Sequence, residues 1–281
     1  MEAAATGSDG VRAVPGPELI EQGDVMTRLA SLLAAVAAAV TMAAGSAPAA
    51  DLKVISAGAV RGLIAQIIDD YSHQTGQKFD FTIGTTGQLR NIIASGQPAD
   101  LVILSTPLMG EMEKTGKLMP GSRADLGRVG IGIVVRDGGG APDVATPDAF
   151  KKALIEASSV AYTDPAEGGT SGIYFTALAE RLGIGDAIKK KAVMTRGGRE
   201  AALEVANGHA DMALVYVSEA MALKGVKVAG MLPPSLQDYS AYAAAIPTAS
   251  TDPAAARAFI AALASPAMAE RWRANGFEPP K

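Results

Sequence analysis

The stretch Leu52–Thr75, LKVISAGAVRGLIAQIIDDYSHQT, changes its apolar period midway, and that change decides the fold. Leu52 to Ala57 is a short run containing Val and Ile and bounded by a glycine, the pattern of a buried strand. From Val60 onward Leu63, Ile64, Ile67, Ile68 and Tyr71 recur at three and four, which gathers them on one helix face and turns Asp69, Asp70 and His73 towards solvent. A strand at Phe79–Ile83, a helix led by Thr85-Thr86-Gly87 and a strand at Asp100–Leu104 follow. Two successive strand-helix-strand units predict a parallel, doubly wound sheet.

Further along, Val129–Val135 (VGIGIVV) reads as a strand and Asp137–Pro142 (DGGGAP) as the strongest turn signal in the chain. The alternation then restarts, with helices over Pro147–Ala157, Ser171–Leu182 and Gly198–Asn207 and strands at Ser159–Thr163 and Asp211–Tyr216. Beyond Leu232-Pro233-Pro234 come a strand near Tyr239–Ile246 and helices at Pro253–Ala264 and Pro266–Ala274, which return to complete the first unit. The expected architecture is α/β with two lobes, residues 50–130 plus 236–281 and residues 131–235. Each lobe is expected to be a doubly wound, mainly parallel sheet, and two chain crossings make the pair a clamp hinged around a cleft.

The N-terminal residues belong to a different argument. Leu29–Ala44 (LASLLAAVAAAVTMAA) carries no charge, follows Met26-Thr27-Arg28 and ends in Ala47-Pro48-Ala49. A basic start, an apolar centre too short for a comfortable membrane span and a small-x-small exit form a secretory signal pattern. Residues 1–25 hold Glu2, Asp9, Glu18, Glu21 and Asp24 against Arg12, the wrong charge for a signal start. Translation is therefore expected to begin at Met26, with residues 1–25 an extension ahead of it, residues 26–49 a signal peptide and a soluble periplasmic protein from Ala50.

Composition removes several classes of function. The 281 residues include no cysteine, which excludes disulfides, thiolate metal sites and cysteine nucleophiles. Twenty-five Lys and Arg against 29 Asp and Glu, with no basic block, lack the electrostatic footprint of a nucleic-acid binder. There is no GxGxxG after the first strand, no P-loop, no HExxH and no GxSxG, and His73 and His209 are isolated. No metal and no cofactor are expected.

What remains are small hydroxyl and glycine residues just past strand ends, where a doubly wound fold places its ligand crevice. They are Ser56-Ala57-Gly58-Ala59, Gly84-Thr85-Thr86-Gly87, and Thr163-Asp164-Pro165 with Gly168-Gly169-Thr170-Ser171-Gly172. A helix start offers unpaired N–H groups and a partial positive charge, so several converging starts with Ser and Thr hydroxyls make an anion cage. Each group singly is also what ordinary helix capping requires.

The Gly96-Gln97-Pro98-Ala99-Asp100 phrase, the Thr163-Asp164-Pro165 and Gly172-Ile173-Tyr174 turn, the Gly198-Arg199-Glu200-Ala201-Ala202-Leu203 helix and Leu214-Val215-Tyr216 resemble periplasmic molybdate-binding proteins. The resemblance spans nearly the whole chain after the signal. It implies a type II periplasmic binding protein that holds a small oxyanion between its lobes and hands it to an ABC permease as a non-enzymatic monomer. Carried over by motif, the ligand positions are Ala59, Thr86, Ser171, Gly198 and Tyr216. The family's first-turn serine falls on Ala59, with Ser56 in the same turn as the substitute hydroxyl. Arg61 and Arg196 also stand in ligand-facing turns, and an Arg fork suits a planar carboxylate better than a tetrahedral oxyanion. The alternative implied is a polycarboxylate relative, either an organic-acid receptor or an aconitate isomerase, with Arg61 and Arg196 as clamps and Tyr216 or Glu167 moving the proton.

Overall fold

The computed structural model describes residues 50–280, so the expected extension 1–25 and signal peptide Met26–Ala49 lie outside the described residues. β1 (Leu52–Ala57), buried except at Lys53, lies between β2 (Phe79–Gly84) and β3 (Leu101–Ser105), parallel to both. β1 leads through the turn Gly58–Val60 into α1 (Arg61–Thr75), which ends at Gly76 in the left-handed conformation that glycine adopts without penalty. α2 (Thr86–Ala94) follows β2 and opens with a capping box, in which the Thr85 hydroxyl accepts from the Gln88 backbone N–H and the Gln88 side-chain Oε1 accepts from the Thr85 backbone N–H. β3 leads into α3 (Thr106–Lys114), which begins with Pro107 in its first turn.

β4 (Ala124–Arg136) runs on to α4 (Pro147–Glu156), β5 (Val160–Thr163), α5 (Thr170–Arg181), α6 (Gly185–Lys189) and β6 (Ala192–Thr195). Next come α7 (Gly198–Asn207), β7 (Met212–Tyr216), α8 (Ser218–Met221) and β8 (Val226–Met231). β9 (Tyr239–Ala245), α9 (Pro253–Leu263), α10 (Ala269–Ala274) and β10 (Phe277–Glu278) complete the described chain.

In space the strands run β2-β1-β3-β9-β4-β7-β5-β6, with β8 and β10 added on β4. The flanks are parallel, β1 with β2 and β3, and β5 with β6 and β7. The middle is antiparallel, because β9 opposes β3 and β4, and β4 opposes β7. Antiparallel neighbours need no helical crossover, so β4 and β9 can pass directly from one half to the other. β4 changes partner in mid-strand: Gly130 lies opposite Tyr239 of β9, and Ile131 opposite Tyr216 of β7. The glycines of VGIGIVV serve this crowded point, since a Cβ would stand 2.7 Å from the Met231 side chain at Gly130 and 2.5 Å from that of Val217 at Gly132.

Each half has its own aromatic contacts. Phe259 of α9 packs edge-on to Tyr71 of α1 at 5.0 Å and against Phe79 of β2 at 4.7 Å, so the returning C-terminal helix covers the first sheet. On the far side Tyr162 of β5 meets Phe175 of α5 at 4.9 Å. The result is two lobes sharing β4.

The acidic end of the Gly96–Asp100 phrase has a structural task. Asp100 is buried, and its carboxylate accepts from the backbone N–H groups of Lys53, Thr251 and Asp252 and from the hydroxyls of Ser250 and Thr251. Burial pushes its carboxyl up, but these donors outweigh burial and hold it below the ordinary carboxylate value. A depressed folded-state value stabilises above the unfolded aspartate value of about 3.9, and that contribution is lost as pH falls through the folded value. Asp100→Ala should lower the unfolding free energy by about 3 kcal/mol at neutral pH, measured by urea denaturation. The difference from the parent protein should narrow below about pH 4; a constant difference down to pH 2 contradicts this account.

Candidate functional site

A cavity of about 630 Å³ opens where the strand ends of the two lobes meet. The turn Gly58–Val60 before α1 and the first residues of α2, α5 and α7 all line it. Each start leaves backbone N–H groups without a partner inside its own helix, so the cavity is walled by donors.

The glycines around it create close approach. At Gly169 and Gly172 a Cβ would overlap Thr163, so both are required for α5 to begin against the end of β5. At Gly198 a Cβ would overlap the Glu219 carboxylate. The GGTSG phrase thus brings the Thr170 and Ser171 hydroxyls to the cavity wall, and Thr163 lines it from the strand below.

The structure assembles most of the sequence candidates here. Ala59, Thr86, Ser171, Gly198 and Tyr216 line the cavity, as do Arg61 and Arg196 at its exposed side. Thr86 stands 3.4 Å from the Ser105 hydroxyl, and the buried Tyr216 hydroxyl lies 3.0 Å from that of Thr170. Burial pushes the Tyr216 phenol well above its ordinary value, only partly offset by Thr170, so Tyr216 stays neutral and acts as a hydroxyl, not as a phenolate.

Ser56 does not join them. It is buried within β1, paired on both sides with Ile83 and Ile103, and its hydroxyl donates to the Ala57 carbonyl at 3.4 Å. The chain leaves the sheet only after Ala57, so the hydroxyl missing at Ala59 is not replaced from Ser56.

Glu167 stands at a contact that spans the cavity. The Gly87 N–H donates to the Gly168 carbonyl at 3.1 Å, the Thr85 hydroxyl donates to the Glu167 carbonyl, and the Gln88 amide donates to the Glu167 carboxylate at 2.7 Å. Arg196, its side chain 86% exposed, approaches the same carboxylate only to 4.0 Å. Arg61 has no ion pair among the described residues.

One lining residue escaped the sequence reading. Glu219, on the short helix α8, lines the cavity half-buried, and its carboxylate accepts from the Tyr216 N–H at 3.1 Å and from the Gly198 backbone. Burial pushes its carboxyl up to about 8; the Tyr216 N–H opposes that rise, Glu200 adds to it, and the Gly198 N–H again opposes it. Its signal in the sequence is one acid in the apolar run Val215–Ala222, directly after a buried strand. Tyr242 is a further lining residue that was not anticipated. Among the described residues no three His, Cys, Asp or Glu side chains come together as a metal site requires.

Residues 52–278 match the family described as bacterial extracellular solute-binding protein. The chain is 33% identical over 253 residues to a Pseudomonas protein named aconitate isomerase, covering 88% of this chain and 95% of that protein. It is 26% identical to the molybdate-binding protein ModA of Escherichia coli K12, covering 80% of this chain and 88% of that protein. Among solved structures, the periplasmic molybdate-binding protein of Azotobacter vinelandii superposes with a TM-score of 0.68 at 20% identity, over 82% of this chain and all of that one.

The contact across the cavity depends on two glycines. A Cβ at Gly87 would lie 2.7 Å from the Gly168 Cα, too near for any side chain. Gly87→Val should leave the melting temperature within a few degrees, hold the lobes apart and raise the radius of gyration in solution scattering. Unchanged scattering and unchanged melting together would show that the contact does not control the approach of the lobes.

Proposed function

The chain belongs to the bacterial extracellular solute-binding proteins, and from that premise we propose that its cleft encloses a small polycarboxylate and interconverts isomers of it, as an aconitate isomerase does. The observation that carries this reading is the placing of Arg61, which has no ion pair among the described residues, and Arg196, no nearer than 4.0 Å to Glu167, on a cavity rich in hydroxyl and helix-start donors. Arg forks bind planar carboxylates in two parallel hydrogen bonds, while hydroxyls and helix starts receive the remaining oxygens. The cavity volume lies inside the range of small-molecule sites, about 300–1,000 Å³, and exceeds what one tetrahedral oxyanion fills. The loss of a hydroxyl at Ala59 weakens an oxyanion cage but costs a carboxylate clamp nothing. The name of the 33% identical Pseudomonas relative points the same way.

The chemistry asked of the protein is modest. Moving the double bond of a propene tricarboxylate requires holding its carboxylates still and shifting one allylic proton, with no cofactor. The lobes approach because the anion bridges donors on both, so it binds the closed arrangement better and shifts the population by that difference.

A second reading keeps the same cleft and drops the reaction: a receptor for a molybdate-like oxyanion, held by Thr86, Ser171, the Gly198 N–H and Tyr216 and delivered to an ABC permease. The converging helix starts and the molybdate-binding relatives favour it. In either case we place the protein in the periplasm after removal of Met26–Ala49, with lobes at 50–130 plus 236–281 and at 131–235.

Two measurements on protein beginning at Ala50 separate the readings. Ultraviolet absorbance should show cis- and trans-aconitate interconverting, and thermal shift should show stabilisation by aconitates and tricarballylate of about 2.7 kcal/mol at 100 times the dissociation constant. Arg61→Met with Arg196→Met should weaken carboxylate binding tenfold or more. A flat absorbance trace with stabilisation confined to molybdate and tungstate replaces the isomerase by the oxyanion receptor.

A further inference from the structure

Resting on the isomerase reading, we propose that Glu219 is the group that carries the proton between the two carbon atoms of the enclosed polycarboxylate. The carboxyl sits where β7 and α8 meet, between the Gly58 turn of one lobe and the Gly198 start of α7 in the other. Glu219 and Glu167 are both half-buried, but Glu167 is held across the cavity by the Gln88 amide, Glu200 is exposed in the first turn of α7, and the Glu219 carboxylate is met only by backbone N–H donors. Among the described residues no Lys, Arg or His pairs with Glu219.

Its surroundings keep the proton exchangeable. Facing it are Glu200 from α7, Tyr216 from the end of β7 and Tyr242 from β9, each of which disfavours a negative charge or is itself disfavoured by one. Arg61 from α1 and Arg196 before α7 line the same cavity, while Lys227 of β8 turns away to the Gly139 carbonyl. Two backbone N–H donors fix the carboxylate in place, and an amide would satisfy those donors equally well, so the ionisable group is not explained by anchoring alone. Burial raises the basicity of the carboxylate towards the working pH, which general-base catalysis requires. Tyr216, held neutral, and Glu167, engaged across the cavity, are poorer carriers.

The step balances within the substrate and this one side chain. The Glu219 carboxylate takes a proton from the methylene carbon, and the C–H electron pair forms the new double bond to the central carbon. The former double-bond pair moves to the terminal carbon and its carboxylate, where arginines and helix-start N–H groups receive the added charge. Glu219 then returns the proton to that terminal carbon. Nothing is oxidised or reduced, and no group leaves.

Because the base form must be free of its proton, kcat/KM should rise with pH through the free-enzyme value of about 8 and level above it. Glu219→Gln should lower kcat for aconitate at least 100-fold, with KM and the affinity for non-reacting tricarballylate changed less than about threefold. Glu219→Asp should retain part of the rate with its ascending pH limb displaced. If Glu219→Gln turns over like the parent protein, or if the rate profile is flat from pH 6 to 10, the assignment falls while the isomerase reading stands. If the parent protein binds tricarballylate but converts neither aconitate, both fall together.

Discussion

A helix cannot satisfy its own first N–H groups, and in this protein several helix starts face one cavity. That constraint accounts for much of the local sequence. The Thr85 capping box starts α2, glycines at Gly169, Gly172 and Gly198 let α5 and α7 begin in close contact with their neighbours, and Thr86, Thr170 and Ser171 then line the cavity. The donors set the sign of the ligand: the wall attracts negative charge without placing a cation at its base. In the proposed reading the arginines at the open side distinguish a carboxylate from other anions, because their planar forks match it.

Against that background the carboxyl of Glu219 on the cavity wall is the feature that a plain anion receptor does not need. A charge buried there opposes an incoming anion, so it is tolerated only if it can be neutral or is fixed by donors. The Tyr216 and Gly198 N–H groups supply the fixing, and burial supplies the readiness to accept a proton. The shared strand β4 lets such a site exist at all, since its change of partner between Gly130 and Ile131 brings β7 and α8 beneath the turn that follows β1.

The fold was legible where periodicity was strong. LKVISA and the helix after it, the Thr85 turn, VGIGIVV and the GGTSG phrase each lie where the spacing placed them. Half-buried β6 and β8 left no clean alternation, and α3 presents only Leu108, Met109 and Met112 to the core, so these elements were not visible. The parallel flanks followed from strand-helix alternation, but the antiparallel centre did not, because it is set by which strands carry the chain between lobes. In the site, motif spacing singled out Thr86, Ser171, Gly198 and Tyr216, which line the cavity, and Ser56, which does not, since β1 holds that side chain inside the sheet. Glu219 was missed because a single acid on a four-residue helix makes no pattern; only its burial in three dimensions marks it.

The central claim is that the cleft moves a proton within a bound polycarboxylate. A proton NMR time course of trans-aconitate with the protein in D2O tests it most directly. The account predicts that cis-aconitate resonances grow in as those of trans-aconitate decline, with deuterium entering the methylene and vinylic positions to the extent that the carried proton exchanges with solvent. A spectrum unchanged after prolonged incubation with stoichiometric protein would contradict it.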